Sequence, residues 1–440
     1  MSQSVGAHSW VHERRAHALP LGQVASWGLF GSFTYAACQW AMLVVLAKLG
    51  STEMLGQFAL GFAIAAPVFL LISLSLREVL STDARDAHAF GDYLALRVIG
   101  VFAGLLAIGA VTCVVGYRWE TKLVILLVGG VKAIEAVSDV LYGLMQKHER
   151  MDLIAGSIVL RGLLSVVALG AGVYLSGSLV WGLVLVSAAW AVVLITYDFP
   201  RGARLLESNV RPRWTRADLA RLAWLSLPLG ITAMMISLRA TIPRYFVERY
   251  RGEQELGVFV AMAYLMIVGG TAVNALGQSA SARLATYYAE GDRASARHLL
   301  SGLVGVGLVL GAVGVAVAFL WGGEVLTVLY RPEYAEHVEA FVLIMGAAAI
   351  SYVASALGFA VTAARCFRAQ TVLFAGVTAV ALLACATLIP GRGLVGAGQA
   401  SVVTWIANLL GIGALHLYAL RHPTKSVTGD RHLDAREAEQ

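Results

Sequence analysis

Charged side chains are scarce in this chain. Asp, Glu, Lys and Arg make up 14% of its 440 residues, where soluble domains average roughly 25%. With 58% hydrophobic residues and a mean hydropathy of +0.74, that shortage excludes an ordinary soluble globular protein. Cysteine is also sparse. The four cysteines, Cys38, Cys113, Cys366 and Cys385, form no CxxC pair and have no His at metal-ligand spacing, so neither a disulfide framework nor a metal site is suggested. They read as small core or lipid-facing residues. Enzyme signatures are missing too: there is no Walker A sequence, no G-x-S-x-G, no HExxH and no Asp-rich outer loop. No catalytic residue and no cofactor is therefore expected.

What the chain does have is apolar runs of about twenty residues, the length that crosses roughly 30 Å of hydrocarbon. They predict an all-α polytopic membrane protein with about twelve spans, near 23–47, 57–76, 94–116, 121–145, 152–175, 179–198, 221–243, 255–279, 299–321, 337–362, 368–389 and 394–419. The first run follows Arg14 and Arg15 but is longer than the roughly 7–15 residues of a signal-peptide core, so it reads as a retained helix. Counting Lys and Arg by loop puts 22 on the side of the N-terminus and 8 on the other, which predicts both termini in the cytoplasm. The net charge of +6 is this positive-inside surplus, and nucleic-acid binding is not expected. Outer loops are short, so function belongs in the embedded body.

The Arg-rich stretch 200–216 divides the chain into two sets of six spans, an N-terminal lobe 1–199 and a C-terminal lobe 217–420, followed by a polar cytoplasmic tail 421–440. The halves echo one another. Gly56-Gln57-Phe58 matches Gly257-Val258-Phe259, Gly91-Asp92 matches Gly291-Asp292, and Ser178-Leu179-Val180 matches Gly393-Leu394-Val395. Two repeats of even span number and one orientation are the layout of a rocking transporter whose site lies at their interface.

Ionisable side chains within hydrocarbon need partners, water or a function. Lys132, Glu135 and Asp139 are spaced i, i+3, i+7 in the fourth span, with Tyr142 continuing the same face. Arg161 of the fifth span is expected near mid-depth, level with Lys132. Lys132 and Arg161 could bind an anionic head group; alternatively, Lys132 pairs with Glu135 and Arg161 with Asp139 to knit two helices. Glu135 and Asp139 are the mid-span carboxylates available to a proton or sodium ion. Arg239 and Arg244 flank a helix-breaking Pro243 and could form a phosphate fork or snorkel to the interface. Asn274 and Gln278 could bind sugar hydroxyls or bond neighbouring helices. Arg77-Glu78 either meets a substrate entering from the cytoplasm or is a topological charge pair. The pairs Gly100-xxx-Gly104 and Gly307-xxx-Gly311 speak to close helix packing.

Several stretches carry a resemblance: Ala36-Ala37-Cys38-Gln39-Trp40 through Leu55-Gly56-Gln57-Phe58-Ala59-Leu60-Gly61, then Tyr142-Gly143-Leu144-Met145-Gln146-Lys147-His148-Glu149-Arg150-Met151, then Ile242-Pro243-Arg244-Tyr245-Phe246. Asn274-Ala275-Leu276-Gly277-Gln278-Ser279-Ala280-Ser281-Ala282-Arg283-Leu284-Ala285 adds a fourth. Over nearly its whole length the chain resembles the Wzx-type flippases of the multidrug/oligosaccharidyl-lipid/polysaccharide (MOP) exporter superfamily. Ala282 departs from the Pro expected there, which puts the local loop geometry in doubt.

The resemblance implies two six-helix lobes around a central cationic cavity in a bacterial inner membrane. It implies transfer of undecaprenyl-pyrophosphate-linked oligosaccharide from the inner to the outer leaflet, feeding O-antigen, capsule or exopolysaccharide assembly. The implied partners are that lipid-linked oligosaccharide, the bilayer, H+ or Na+ as coupling ion, and the polymerase and chain-length regulator of the same pathway. Three alternatives stay open: a cation-coupled drug or small-molecule exporter of the same superfamily, a lipid II flippase, and a membrane-embedded polysaccharide polymerase or ligase. A drug exporter is expected to have an acidic cavity, a lipid II flippase two further spans, and a polymerase a larger outer loop.

Overall fold

The structure is a computed structural model, and it describes residues 21–83, 88–206, 211–364 and 367–421. Arg14, Arg15, Arg85, Arg365, Cys366, Lys425, Arg431 and Arg436, and all but the first residue of the expected tail, lie outside the described residues, as does the side chain of Arg368. Among the described residues the chain is helical throughout, with no strand.

Helix α1 spans Leu21–Leu49, α2 Thr52–Ser73, α3 Leu76–Thr82, α4 Phe90–Val114, α5 Trp119–Lys147, α6 Met151–Ser176 and α7 Leu179–Val193. After α7 the chain makes a π-turn over Leu194–Asp198 and a short α8, Phe199–Ala203. Then come α9, Arg216–Glu290, α10, Arg293–Leu329, a 3-10 turn over Pro332–His337, α11, Val338–Ala363, and α12, Phe367–Arg421. Starts follow the local chemistry. Ser51 and Ser178 accept backbone N–H bonds at the heads of α2 and α7, and Asp292 accepts one from Ser295 at 3.0 Å at the head of α10. That bond holds the Asp292 carboxyl below its ordinary range.

Nine of these helical stretches are long and apolar enough to cross a membrane. Helix α5 is not one of them, because Lys122, Lys132, Glu135 and Asp139 load it with charge. Two stretches, 66 and 53 residues long, exceed the need of one crossing more than twofold, and each contains a glycine that leaves helical geometry: Gly252 (φ 83°) in α9 and Gly393 (φ 56°) in α12. The figure of about twelve spans remains the expectation from sequence. Pro243, expected to break the seventh span, sits inside continuous helix, and the break falls at Gly252. The Thr241 hydroxyl donates back to the carbonyls of Ser237 and Leu238 there. Residue 282 also lies within helix rather than a loop.

By contacts the chain divides into Met1–Ala261 and Met262–Gln440, a boundary inside α9. In the first unit α5 is the hub, packed against α2, α3, α4, α6 and α7, while α1 lies along α6. In the second, α11 packs on both α10 and α12. Glycine permits close crossings, as expected: a Cβ on Gly100 would meet the Ile72 carbonyl oxygen at 2.9 Å and one on Gly311 the Ala349 Cα at 2.6 Å. Cys38 and Cys385 are buried and Cys113 exposed, all as free thiols.

The first sequence echo is also a contact. A Cβ on Gly56 would lie 1.7 Å from the Glu253 carbonyl oxygen, and one on Gly257 2.0 Å from that of Thr52. At the offset that matches Gly56 to Gly257, Thr52 matches Glu253. Each glycine therefore touches the other's partner, the reciprocity that a two-fold relation between two segments produces. Gln57 and Thr121 close the junction, with Gln57 Nε2 donating to Glu253 Oε2 at 3.0 Å and Thr121 to Oε1 at 2.6 Å.

Candidate functional site

Helix α5 carries the polar face expected from the i, i+3, i+7 spacing, and the three ionisable groups on it have different surroundings. Lys132 donates to Glu135 Oε2 at 2.6 Å, one of the pairings left open by the sequence, and its ammonium sits 5.2 Å from the centre of the Phe62 ring. Both side chains keep some access, 19% for Lys132 and 35% for Glu135. They form a polar, partly open spot on α5.

Asp139 does not pair with Arg161. It lies between Arg97 of α4, at 3.2 Å, and Arg77 of α3, at 3.6 Å. Arg77 also donates from Nε to Gln146 at 3.0 Å and stands 5.7 Å from the Tyr142 ring centre. Arg77 is thus attached to α5 and is more than a marker of topology. Arg97, counted from the sequence with the inner loops, is a helical residue with 1% exposure.

Arg161 is sealed in a second cluster. Its Nη2 donates to Asp198 at 2.6 Å and to the Ser138 hydroxyl, and its guanidinium faces the rings of Trp190 and Tyr142. Tyr142 bonds Ser157 at 2.6 Å, and Trp190 donates to Ser165 at 2.7 Å. Arg161 and Asp198 are buried, so the lysine and arginine expected to stand level belong to separate environments. Asp198 closes the π-turn that follows α7, where one extra residue per turn rotates the side chain about the helix axis. Sequence reasoning passed over Arg97 and Asp198. Both had the same signal, an ionisable residue at the margin of an apolar run, which was read as a span boundary.

Arg239 and Arg244 are half-buried on α9. With that helix unbroken at Pro243, five residues separate them by about 140° around the axis, so one local fork on a phosphate is not what the backbone presents. Asn274 and Gln278 are exposed on one face of α9, four residues apart.

No family model matches the chain. A capsular polysaccharide biosynthesis protein of Staphylococcus aureus, CapF, is 26% identical over 307 residues, covering 69% of this chain and 75% of that protein. Among solved structures, the lipid II flippase MurJ in an inward closed conformation superposes with a TM-score of 0.68 at 11% identity over 89% of each chain. An outward-facing multidrug resistance MATE family transporter of the MOP superfamily gives 0.59 at 14%, over 95% of this chain and 96% of that one. A MOP superfamily transporter from Pyrococcus furiosus, described by a reverse polarity of its binding pocket, gives 0.57 at 14%, over 90% and 93%. The chain is a multi-pass helical protein with the fold that these MurJ and MATE structures share.

Proposed function

We propose that this protein is a flippase that moves undecaprenyl-pyrophosphate-linked oligosaccharide repeat units from the inner to the outer leaflet of a bacterial inner membrane, by alternating access between two six-span lobes of some twelve spans. The observation that carries this reading is the placement of Lys132 and Arg77 on or against the polar face of α5, within protein yet still partly open, in a MOP fold. Cations held there meet the charge of a pyrophosphate head group while the lipid tail stays in the bilayer. Exposed Asn274 and Gln278 suit sugar hydroxyls, and Arg239 and Arg244, in the segment before the break at Gly252, carry positive charge. Arg161 acts from behind, fixing α6 and the end of α7 against α5 through Asp198 and Ser138. Glu135 and Asp139 are the groups through which H+ or Na+ would couple. The capsule-related relative supports a polysaccharide pathway, in which a polymerase and chain-length regulator would act next. Both termini would be cytoplasmic.

The test is the leaflet distribution of lipid-linked oligosaccharide in cells lacking the protein, read in spheroplasts with an impermeant lectin or glycosidase. Repeat units should accumulate facing the cytoplasm while surface polysaccharide disappears. Units that reach the outer face unpolymerised would point to a polymerase or ligase. Unchanged polysaccharide with altered drug resistance would point to an exporter of small cations.

A further inference from the structure

We infer that Arg77 and Arg97 form a phosphate-binding site that the protein's own Asp139 occupies in this conformation. Three observations meet there. The first is a mismatch of donors and acceptors. A guanidinium has five N–H donors in a planar fork and binds oxyanions best in pairs at about 2.7–2.9 Å. Asp139 takes one donor from Arg97 at 3.2 Å and stands 3.6 Å from Arg77, too far for a hydrogen bond. Arg97, with 1% exposure, keeps its Nε and Nη1 without a hydrogen-bond partner among the described residues. A charged side chain so deeply buried with two idle donors is an unfinished site. A phosphate group offers three or four oxygens arranged as a tetrahedron, where the carboxylate offers two in one plane.

The second observation is backbone strain that serves this placement. Between α2 and α3 two successive non-glycine residues, Leu74 and Ser75, adopt left-handed geometry with φ of 53° and 48°. Such conformations are unfavourable and persist where the surroundings impose them, often at ligand clamps. This break turns α3 back onto α5. There Gly143 leaves just enough room: a Cβ on it would meet the Arg77 Cα at 3.1 Å and its carbonyl oxygen at 3.2 Å. The strained joint and the glycine together set Arg77 over Asp139, Tyr142 and Gln146.

The third is access. Arg77 and Asp139 keep 26% and 30% of their side-chain surface, so the cluster opens to an incoming anion through them, and Arg97 lies behind. Glu78 and Glu135 contribute the other nearby negative charge, which weakens but does not cancel the two guanidinium groups. Asp139 is therefore an internal competitor. Anion entry displaces it, or neutralising it admits the anion. This holds whatever the chain transports, and the phosphate could be a free ion or a lipid head group.

The experiment uses the full-length protein in nanodiscs of neutral lipid, with inorganic pyrophosphate titrated calorimetrically. Asp139→Asn should bind pyrophosphate at least about tenfold more tightly than the unmodified protein, because the competing charge is gone. Adding Arg97→Gln or Arg77→Gln to that variant should abolish the gain, whereas Arg118→Gln, which removes an equal charge from the exposed Glu53 pair, should leave it. Should the Asp139 variant fail to elute as a monodisperse species, Arg77→Gln alone decides, since it should weaken pyrophosphate binding by the unmodified protein. If pyrophosphate does not bind but nanodiscs doped with phosphatidic acid give the same order of variants, the phosphate belongs to a lipid. Equal binding of both probes by all variants would overturn the proposal. Failure of the flippase reading, measured as oligosaccharide leaflet distribution, would leave these affinities untouched.

Discussion

Two arginine–carboxylate clusters border α5, and they differ in access more than in composition. In one, Arg161 and Asp198 are dry, joined at 2.6 Å, with Ser138, Tyr142 and Trp190 closed around them. In the other, Asp139 is shared at longer range by Arg77 and Arg97, and one edge stays open. A sealed pair fixes helices to one another, here through a short single contact that leaves Arg161 Nε and Asp198 Oδ1 unpaired among the described residues, and removing one member strands the other in a medium that solvates it poorly. An open pair held at longer range can exchange partners. The same residue types therefore imply architecture in one place and recognition in the other, and exposure tells them apart.

The comparison breaks most sharply at the sealed pair. Asp198→Asn should destabilise the protein by about 3–5 kcal/mol, the cost of leaving a buried guanidinium uncompensated, read as the unfolding midpoint in mild detergent. The double variant Arg161→Met/Asp198→Leu should recover most of it, and added phosphate should not. Asp139→Asn should also lower stability, yet pyrophosphate in the medium should restore it, because this cluster is open. If phosphate rescues both or neither, the distinction between them fails. A smaller loss, about 1–3 kcal/mol for overpacking, is expected of Gly257→Ala at the junction with Thr52. Gly56→Ala should match it, since the contacts are reciprocal, and a large difference between the two would argue against a two-fold relation of these segments.

Much of this was legible in the sequence, and the rest was hidden for identifiable reasons. Apolar runs gave the helices, because a membrane leaves backbone groups no alternative to internal bonding. The spacing of Lys132, Glu135 and Asp139 gave the polar face of α5, since helical periodicity is local. Partners came out less well. Arg161 was expected level with Lys132, with Asp139 as one possible partner, but a π-turn brings Asp198 to it, and nothing in Leu194-Ile-Thr-Tyr-Asp announces that turn. Arg97 was counted with the loops because charge at a span margin ordinarily reports topology. Pro243 was expected to break a helix that continues through it, which moved the separation of Arg239 and Arg244 from a shared fork to different faces. In each case the missing information was tertiary: which neighbour supplies the countercharge or fills the space.

The smallest expected effect on stability lies at Lys132, and it separates support from function most cleanly. The Lys132–Glu135 pair is an i, i+3 contact with both groups partly accessible, so Lys132→Met should cost at most about 0.5 kcal/mol and retain the contact with Phe62. Export is another matter. A cation needed to meet an anionic head group contributes when that group arrives, so its loss should appear in the flipping assay while the unfolding midpoint stays in place. Lys132→Arg, which keeps the charge, should restore export at least in part. Arg161→Met should behave in the opposite way, losing stability first and export only as a consequence. Full export by Lys132→Met would remove Lys132 from the substrate path and leave the cluster at Asp139, further along the same face of α5, as the place where an anion is met.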